Sequence, residues 1–170
     1  NGLRTTATMV IGFDETLETL TLSTGIPGLV AMVANSAEEA KIYVDFFRET
    51  TDMPFGIDMW VAEKRAAATE YVAKLGLQDK FLYNSITPWD KDIRGQVNRL
   101  KDLGIKHVVV QAFDDQDQPP AGRLSSLERL LDQGAGEFET VIVDTSIMNL
   151  PSTSFSLLAN KLIKEKHGLP

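Results

Sequence analysis

The stretch FLYNSITPWD, residues 81–90, decides how this sequence reads. Phe81, Leu82 and Tyr83 form an apolar run of the kind found in a strand covered on both faces. The run ends in an amide and a hydroxyl, Asn84 and Ser85, before a turn marked by Pro88. An asparagine held at the tip of a buried strand needs something polar to bind.

Outward from this stretch the same unit recurs. Strand candidates lie at GLVAMVAN (28–35), FGIDMW (55–60), FLYNSI (81–86), HVVVQAF (107–113) and TVIVDTSI (140–147). Their starts are 27, 26, 26 and 33 residues apart, the length of one strand, one helix and two short loops. Helical periodicity fills the gaps. Ser36 and Glu39 make a capping-box spacing ahead of Tyr43, Phe46 and Phe47. Ala68, Tyr71, Val72 and Leu75 share one face, as do Ile93, Val97 and Leu100, and Leu124, Leu127 and Leu131. Phe155, Leu158, Ala159 and Leu162 predict a last helix, and Asp14, Leu17 and Leu20 a short first one. Gly25, Gly76, Gly104 and Gly168 stand where a left-handed helix cap is needed. After Gly168 the rhythm calls for another strand.

The chain of 170 residues is thus expected to be a single α/β domain. Residues 1–24 form an N-terminal segment with a helix, and 25–170 carry about five parallel β/α units. Two architectures accommodate this series. One is a piece of a (β/α)8 barrel of the TIM type, which needs roughly 250 residues. The other is an open, doubly wound five-stranded sheet.

Composition removes several functions. A net charge of −7, with no Lys/Arg cluster, argues against nucleic acid. No apolar run reaches the roughly 18 residues of a membrane span, and no leader-like segment opens the sequence. The absence of cysteine excludes disulfides, thiolate metal sites and a cysteine nucleophile, and fits a cytoplasmic setting. His107 and His167 read as structural, no metal site is expected, and no phosphate-loop, serine-hydrolase or dinucleotide motif occurs.

Function in parallel α/β folds gathers at the carboxyl ends of strands. Those positions hold Asn35, Asp58, Asn84, Gln111 with Asp114, and Asp144. Asn and Asp also cap helices and fill turns, which competes at each position. Asp58 and Asp144 stand inside apolar runs, where a carboxylate needs hydrogen-bond donors from protein or ligand. Convergent acids and amides suit a neutral ring rich in hydrogen-bonding groups. Trp60 and Trp89 follow two strand tips, either to line a cofactor mouth or to fold back on the helices. Arg123 stands in a first helical turn, placed for an anion or an acidic side chain.

The motifs DMPFGID, LGLQDKFLYNSITP, VVVQAFD, PPAGRLSSLERLL, VIVDTSIMNLPS and IKEKHGLP, in this order and spacing, resemble the H-subunit family of tetrahydromethanopterin S-methyltransferase. The likeness is good from Met53 to Pro170 and thinner from Gly25 to Asp52. It implies a pterin-binding (β/α)8 barrel, here incomplete, and a methyltransferase. The methyl group would move between N5 of tetrahydrofolate or tetrahydromethanopterin and a cobalamin carried by a partner corrinoid protein. Asp58, Asn84 and Asp144 match the residues that hold the pterin in relatives. The family pattern continues past Pro170 into a glycine-rich strand with a further asparagine near the reacting nitrogen. Open sheet edges predict a homo-oligomer. The competing expectations are an inactive fragment, or a non-enzymatic open-sheet regulatory domain of the phosphoacceptor type. The latter wants paired acids after its first strand and a lysine after its last, where this sequence has Asn35-Ser36 and VDTSIMNLPS.

Overall fold

The computed structural model describes residues 16–25 and 28–170. Residues 16–24 form a helix, α1, which contains Leu17 and Leu20; Asp14 lies outside the described residues. Five strand–helix units follow. They are β1 (Val30–Val33) with α2 (Ala37–Thr50), β2 (Phe55–Asp58) with α3 (Ala62–Lys74), and β3 (Phe81–Ile86) with α4 (Ile93–Asp102). The last two are β4 (His107–Gln111) with α5 (Pro120–Leu131) and β5 (Thr140–Asp144) with α6 (Ser152–His167). A single 3-10 turn, Gln78–Lys80, leads into β3.

All five strands are parallel and lie in the order β1-β2-β3-β4-β5. A doubly wound sheet reverses its strand order at a switch point. No reversal occurs, so the open doubly wound alternative does not hold. Successive right-handed crossovers in one direction place the helices on one side of the sheet, as in part of a β/α barrel.

The register identifies the two faces. Met32, Ile57, Tyr83, Val108 and Val141 form one row across the sheet. The last four are buried and Met32 is partly so, packed under the helices with Val44, Val72 and Val97. Below them Phe55 stacks in tilted contact with Phe47 and Phe81, ring centroids 5.3 and 5.6 Å apart. The neighbouring row, Val33, Asp58, Asn84, Val109 and Ile142, points to the opposite face, where Val33 is 63% exposed and Ile142 39%. Side chains alternate along a strand, so these residues belong to the inside of the curved sheet.

Capping follows the sequence closely. Ser36 Oγ, at the N-cap, accepts the Glu39 N–H at 3.1 Å, and Glu39 Oε2 reaches back one residue further to accept the Asn35 N–H at 2.7 Å, a variant of the capping box. Gly76 and Gly104 take φ of +71° and +74° at helix exits, a conformation that a Cβ makes costly. Four strands are shorter than the apolar runs suggest, because the residues after Val33, Asp58, Gln111 and Asp144 turn away into loops. α6 departs further. Its buried face is Ser152, Ser156, Ala159 and Ile163, while Phe155 and Leu158 are 39% and 53% exposed. The expected apolar stripe is rotated outward, since Thr145 Oγ1 draws Ser156 Oγ to 2.5 Å and Asn160 Oδ1 to 3.0 Å beneath the helix. Among the described residues, no helix is long and apolar enough to cross a membrane.

Candidate functional site

Asp58 is the last residue of β2, and Asn84 stands beside it in register on β3. Gln111 and Asp144 end β4 and β5 and are likewise partners in register. The pairing of β3 with β4 shifts between Asn84 and Ile86, so Ser85 is an extra residue that turns the tip of β3. These four polar side chains line one cavity of about 180 Å³ together with Ser85, Thr87 and Arg65. Trp60 and Trp89 stand at its rim, 79% and 49% exposed.

The hydrogen-bonding state of the cavity is informative. The side chains of Asp58 and Asn84 make no hydrogen bond to any described residue. Thr87 is 3% exposed, and its Oγ1 has no partner among the described residues. Asp144 uses one carboxylate oxygen, Oδ1, to accept the Ser146 N–H at 2.7 Å. Gln111 donates Nε2–H to Ser146 Oγ at 2.9 Å, which leaves its carbonyl oxygen open to the cavity. Buried polar groups are normally paired. A cluster of open acceptors, half-buried at Asp58 and Asn84, is built for a ligand that brings donors.

Arg65 is the one cation in this lining among the described residues, and its guanidinium is already engaged. Nε donates to Tyr83 Oη at 2.7 Å, Nη1 to the Met59 carbonyl at 2.8 Å, and Nη2 to both oxygens of Asp90 at 2.9 Å. Burial works against its charge, but Tyr83 and Asp90 outweigh that, and its pKa lies above the ordinary value. Burial likewise pushes the Tyr83 hydroxyl up, against the pull of Arg65. With Arg65 matched by Asp90 and the buried Arg123 acting through space on Asp144, the carboxylate in the lining without a nearby cation is Asp58, and the lining carries more acid than base. That balance is negative, which disfavours phosphates and favours amines and amides.

Ser146 organises the far side. It is a non-glycine residue at φ +53°, a strained conformation that persists only where its surroundings hold it. Arg123 does the holding: it is fully buried, and Nη1 donates to the Thr145 and Ser146 carbonyls. Its Nε donates to the Gln118 carbonyl at 2.8 Å, and the guanidinium lies 5.2 Å from the Phe113 ring centroid. Its hydrogen bonds go to backbone carbonyls and not to an acid in contact, while the charge of Asp144, acting through space, offsets part of what burial costs the guanidinium.

The remaining candidates lie elsewhere. Asn35 is exposed and outside the cavity, with its amide donating to Glu39 Oε2 at 3.3 Å and its carbonyl accepting from Lys64 Nζ at 2.8 Å. Asp114 pairs with Arg129 at 2.6 Å. His107 bonds Thr140 at 2.9 Å and His167 bonds Glu128 at 3.1 Å. Arg65, Thr87 and Ser146 join the site without any motif that marks them. Arg65 does carry a signal, because it precedes Ala68 by three residues and Val72 by seven on the buried stripe of its helix.

Comparison with known proteins adds a family to this geometry. The profile of the family described as tetrahydromethanopterin S-methyltransferase MtrH subunit matches residues 5–170. The chain is 33% identical over 117 residues to the H subunit of a putative mtx methyltransferase of Methanosarcina mazei, covering 69% of this chain and 36% of the relative. It is 29% identical over 165 residues to the H subunit of tetrahydromethanopterin S-methyltransferase of Methanopyrus kandleri, covering 90% and 50%. The corresponding H subunit of Methanosarcina acetivorans is 29% identical over 170 residues, covering 92% and 52%. The chain spans between about a third and a half of the length of these relatives.

Proposed function

Because the chain belongs to the MtrH family of tetrahydromethanopterin S-methyltransferase subunits, we propose that its cavity binds a tetrahydropterin for transfer of the N5 methyl group to a corrinoid protein. The observation that carries the reading is the pair Asp58 and Asn84, adjacent in register, half-buried and without side-chain partners among the described residues.

The chemistry of a reduced pterin matches what the cavity lacks. Its pyrimidine edge presents an exocyclic amine and a ring N–H, donors for the carboxylates of Asp58 and Asp144. Its carbonyl and ring nitrogens accept from the Asn84 amide, and Thr87 Oγ1 serves either kind of group. A volume of about 180 Å³ accommodates a fused bicycle. The cavity's negative charge also favours a ring nitrogen that gains positive character.

In the reaction the bond from the methyl carbon to N5 would break with its electron pair staying on N5, which takes a proton from solvent. A corrinoid on a partner protein would supply the cobalt(I) nucleophile, whose electron pair forms the new bond to the methyl carbon. This chain holds and orients the ring through Asp58, Asn84 and Asp144. We place this reaction in the cytoplasm. The exposed Phe155 and Leu158 on α6 offer an apolar surface for self-association or for partner subunits.

The test is calorimetric titration with N5-methyl-tetrahydromethanopterin and, separately, N5-methyl-tetrahydrofolate. Asn84→Ala should weaken the preferred ligand by about 1–3 kcal/mol, the cost of one lost hydrogen bond at a desolvated site. Because that side chain has no partner among the described residues, thermal stability should not change. Equal affinities for wild type and variant remove Asn84 from the site.

A further inference from the structure

A second, larger cavity of about 580 Å³ runs between α3 and α4 on the helix side of the sheet. Its walls include Val61 and Ala66 from the α3 side and Leu100 and Leu103 from the α4 side. Trp60 and Trp89 line both this groove and the ring cavity, so the two spaces meet at the tryptophan pair. The join is a notch between the β2–α3 loop and the β3–α4 loop. The buried pair Arg65 and Asp90 ties those loops together, with Asp90 also accepting the Thr87 N–H at 2.9 Å.

Size separates the roles of the two spaces. Pockets that enclose a whole drug-sized ligand run to about 300–1,000 Å³. The ring cavity falls below that range and the groove falls within it. A tetrahydropterin coenzyme is itself divided this way, a compact polar bicycle joined to a longer tail that begins with an arylamine. The groove's exposed lining is more apolar than polar, and Glu63 and Asp92 stand in it beside two basic side chains, which disfavours an anion site. Arg99 is paired with Glu70, and Lys91 is flanked in sequence by Asp90 and Asp92. What fits is a flat aromatic segment leading to uncharged polar groups.

We propose that the α3–α4 groove is the tail subsite of the same ligand, entered between Trp60 and Trp89. This rests on the pterin reading of the ring cavity and adds to it a determinant of specificity. The tryptophan faces stack on the arylamine, a contact that tolerates sliding and needs no hydrogen-bond register. The ring is then chosen by Asp58, Asn84 and Asp144, and the coenzyme by the groove.

The experiment compares two probes, N5-methyl-tetrahydromethanopterin and a tail-less N5-methyl-6,7-dimethyl-tetrahydropterin, by calorimetry. The proposal expects the wild-type chain to prefer the tailed probe by about tenfold or more, roughly 1.4 kcal/mol. Ala66→Trp fills the groove from a partly exposed position on α3 and should abolish the preference while leaving the affinity for the tail-less ring unchanged. Ala66→Met, a smaller intrusion, should reduce it and serves where the larger substitution perturbs folding. A preference that survives both variants, or equal wild-type affinities for the two probes, overturns the tail subsite alone. A tail-less ring that does not bind, or that binds without dependence on Asn84, overturns the pterin reading and this inference with it.

Discussion

Arg65 and Asp90 face each other across two loops of the site at 2.9 Å, with side chains only 3% and 7% exposed. The pair joins the first turn of the helix after β2 to the loop after β3, and Trp60 and Trp89 stand on the two loops that it fastens. A buried charge stripped of its partner costs about 3–5 kcal/mol, far more than an exposed ion pair contributes. Asp90→Ala is therefore expected to destabilise the chain by about that amount, measured by urea denaturation. Arg65→Met combined with Asp90→Ala should cost less than the sum of the two single changes, because no unpaired charge is left behind. Strict additivity would show that the two side chains are not coupled in solution.

Arg123 supports the other half of the cavity. Without its guanidinium, the Thr145 and Ser146 carbonyls lose buried donors, each worth about 1–3 kcal/mol when left unsatisfied. Arg123→Met should lower stability on that scale. It should also weaken ligand binding well below the unfolding temperature, since Ser146 is what anchors both Asp144 and Gln111. Arg123→Lys should recover only part of the loss, because an ammonium can reach the two carbonyls but lacks the Nε bond to the Gln118 carbonyl and the flat face against Phe113. Loss of stability with unchanged affinity would separate Arg123 from the site.

Acid should weaken the fold through carboxylates held below their ordinary values. The Tyr43 hydroxyl, followed by the Asn35 N–H, lowers Glu39, and Lys101 followed by Arg94 lowers Glu137, each from an ordinary 4.5. A group whose folded pKa is depressed contributes fully above its unfolded value and loses that contribution as pH falls through the folded one. Stability should thus be level above about pH 5 and decline below about 4.5. Glu39→Gln, which cannot titrate, should make the acid limb of a stability–pH curve shallower. An unchanged limb would assign acid sensitivity to other carboxylates.

The parallel order of the sheet and the convergence of Asp58, Asn84, Gln111 and Asp144 are legible in the sequence for one reason. Strand ends in a repeating β/α chain must meet on one side, so chemistry can be read from position along the repeat. What is not legible depends on contacts across the repeat. Arg65 reaches Asp90 over 25 residues, and Arg123 reaches Ser146 over 23, and neither separation leaves a periodic trace. The outward turn of Phe155 and Leu158 on α6 is hidden for the same cause. Periodicity identifies a stripe, but the buried hydroxyl of Thr145 decides which stripe faces in. Asn35 matches the other strand ends in position yet is engaged by its own helix start, the competing use of asparagine at such sites.

Trp60 and Trp89 are the only tryptophans in the sequence, and both stand at the mouth of the ring cavity. Intrinsic tryptophan fluorescence therefore reports on the ring cavity and on the groove that meets it at these two side chains. A reduced pterin stacked near either indole should quench emission saturably, and the two exposures, 79% and 49%, predict that the more exposed Trp60 starts red-shifted. Trp60→Phe and Trp89→Phe divide the signal between the two loops while keeping an aromatic face for stacking. Asn84→Ala should move the midpoint of the titration about 5- to 150-fold higher without altering the final quench, because it removes a hydrogen bond but leaves the geometry of the bound ring intact. A reduced amplitude at saturation would mean that Asn84 sets how the ring lies, and a titration indifferent to Asn84 would place the ligand outside the row formed by Asp58 and Asn84.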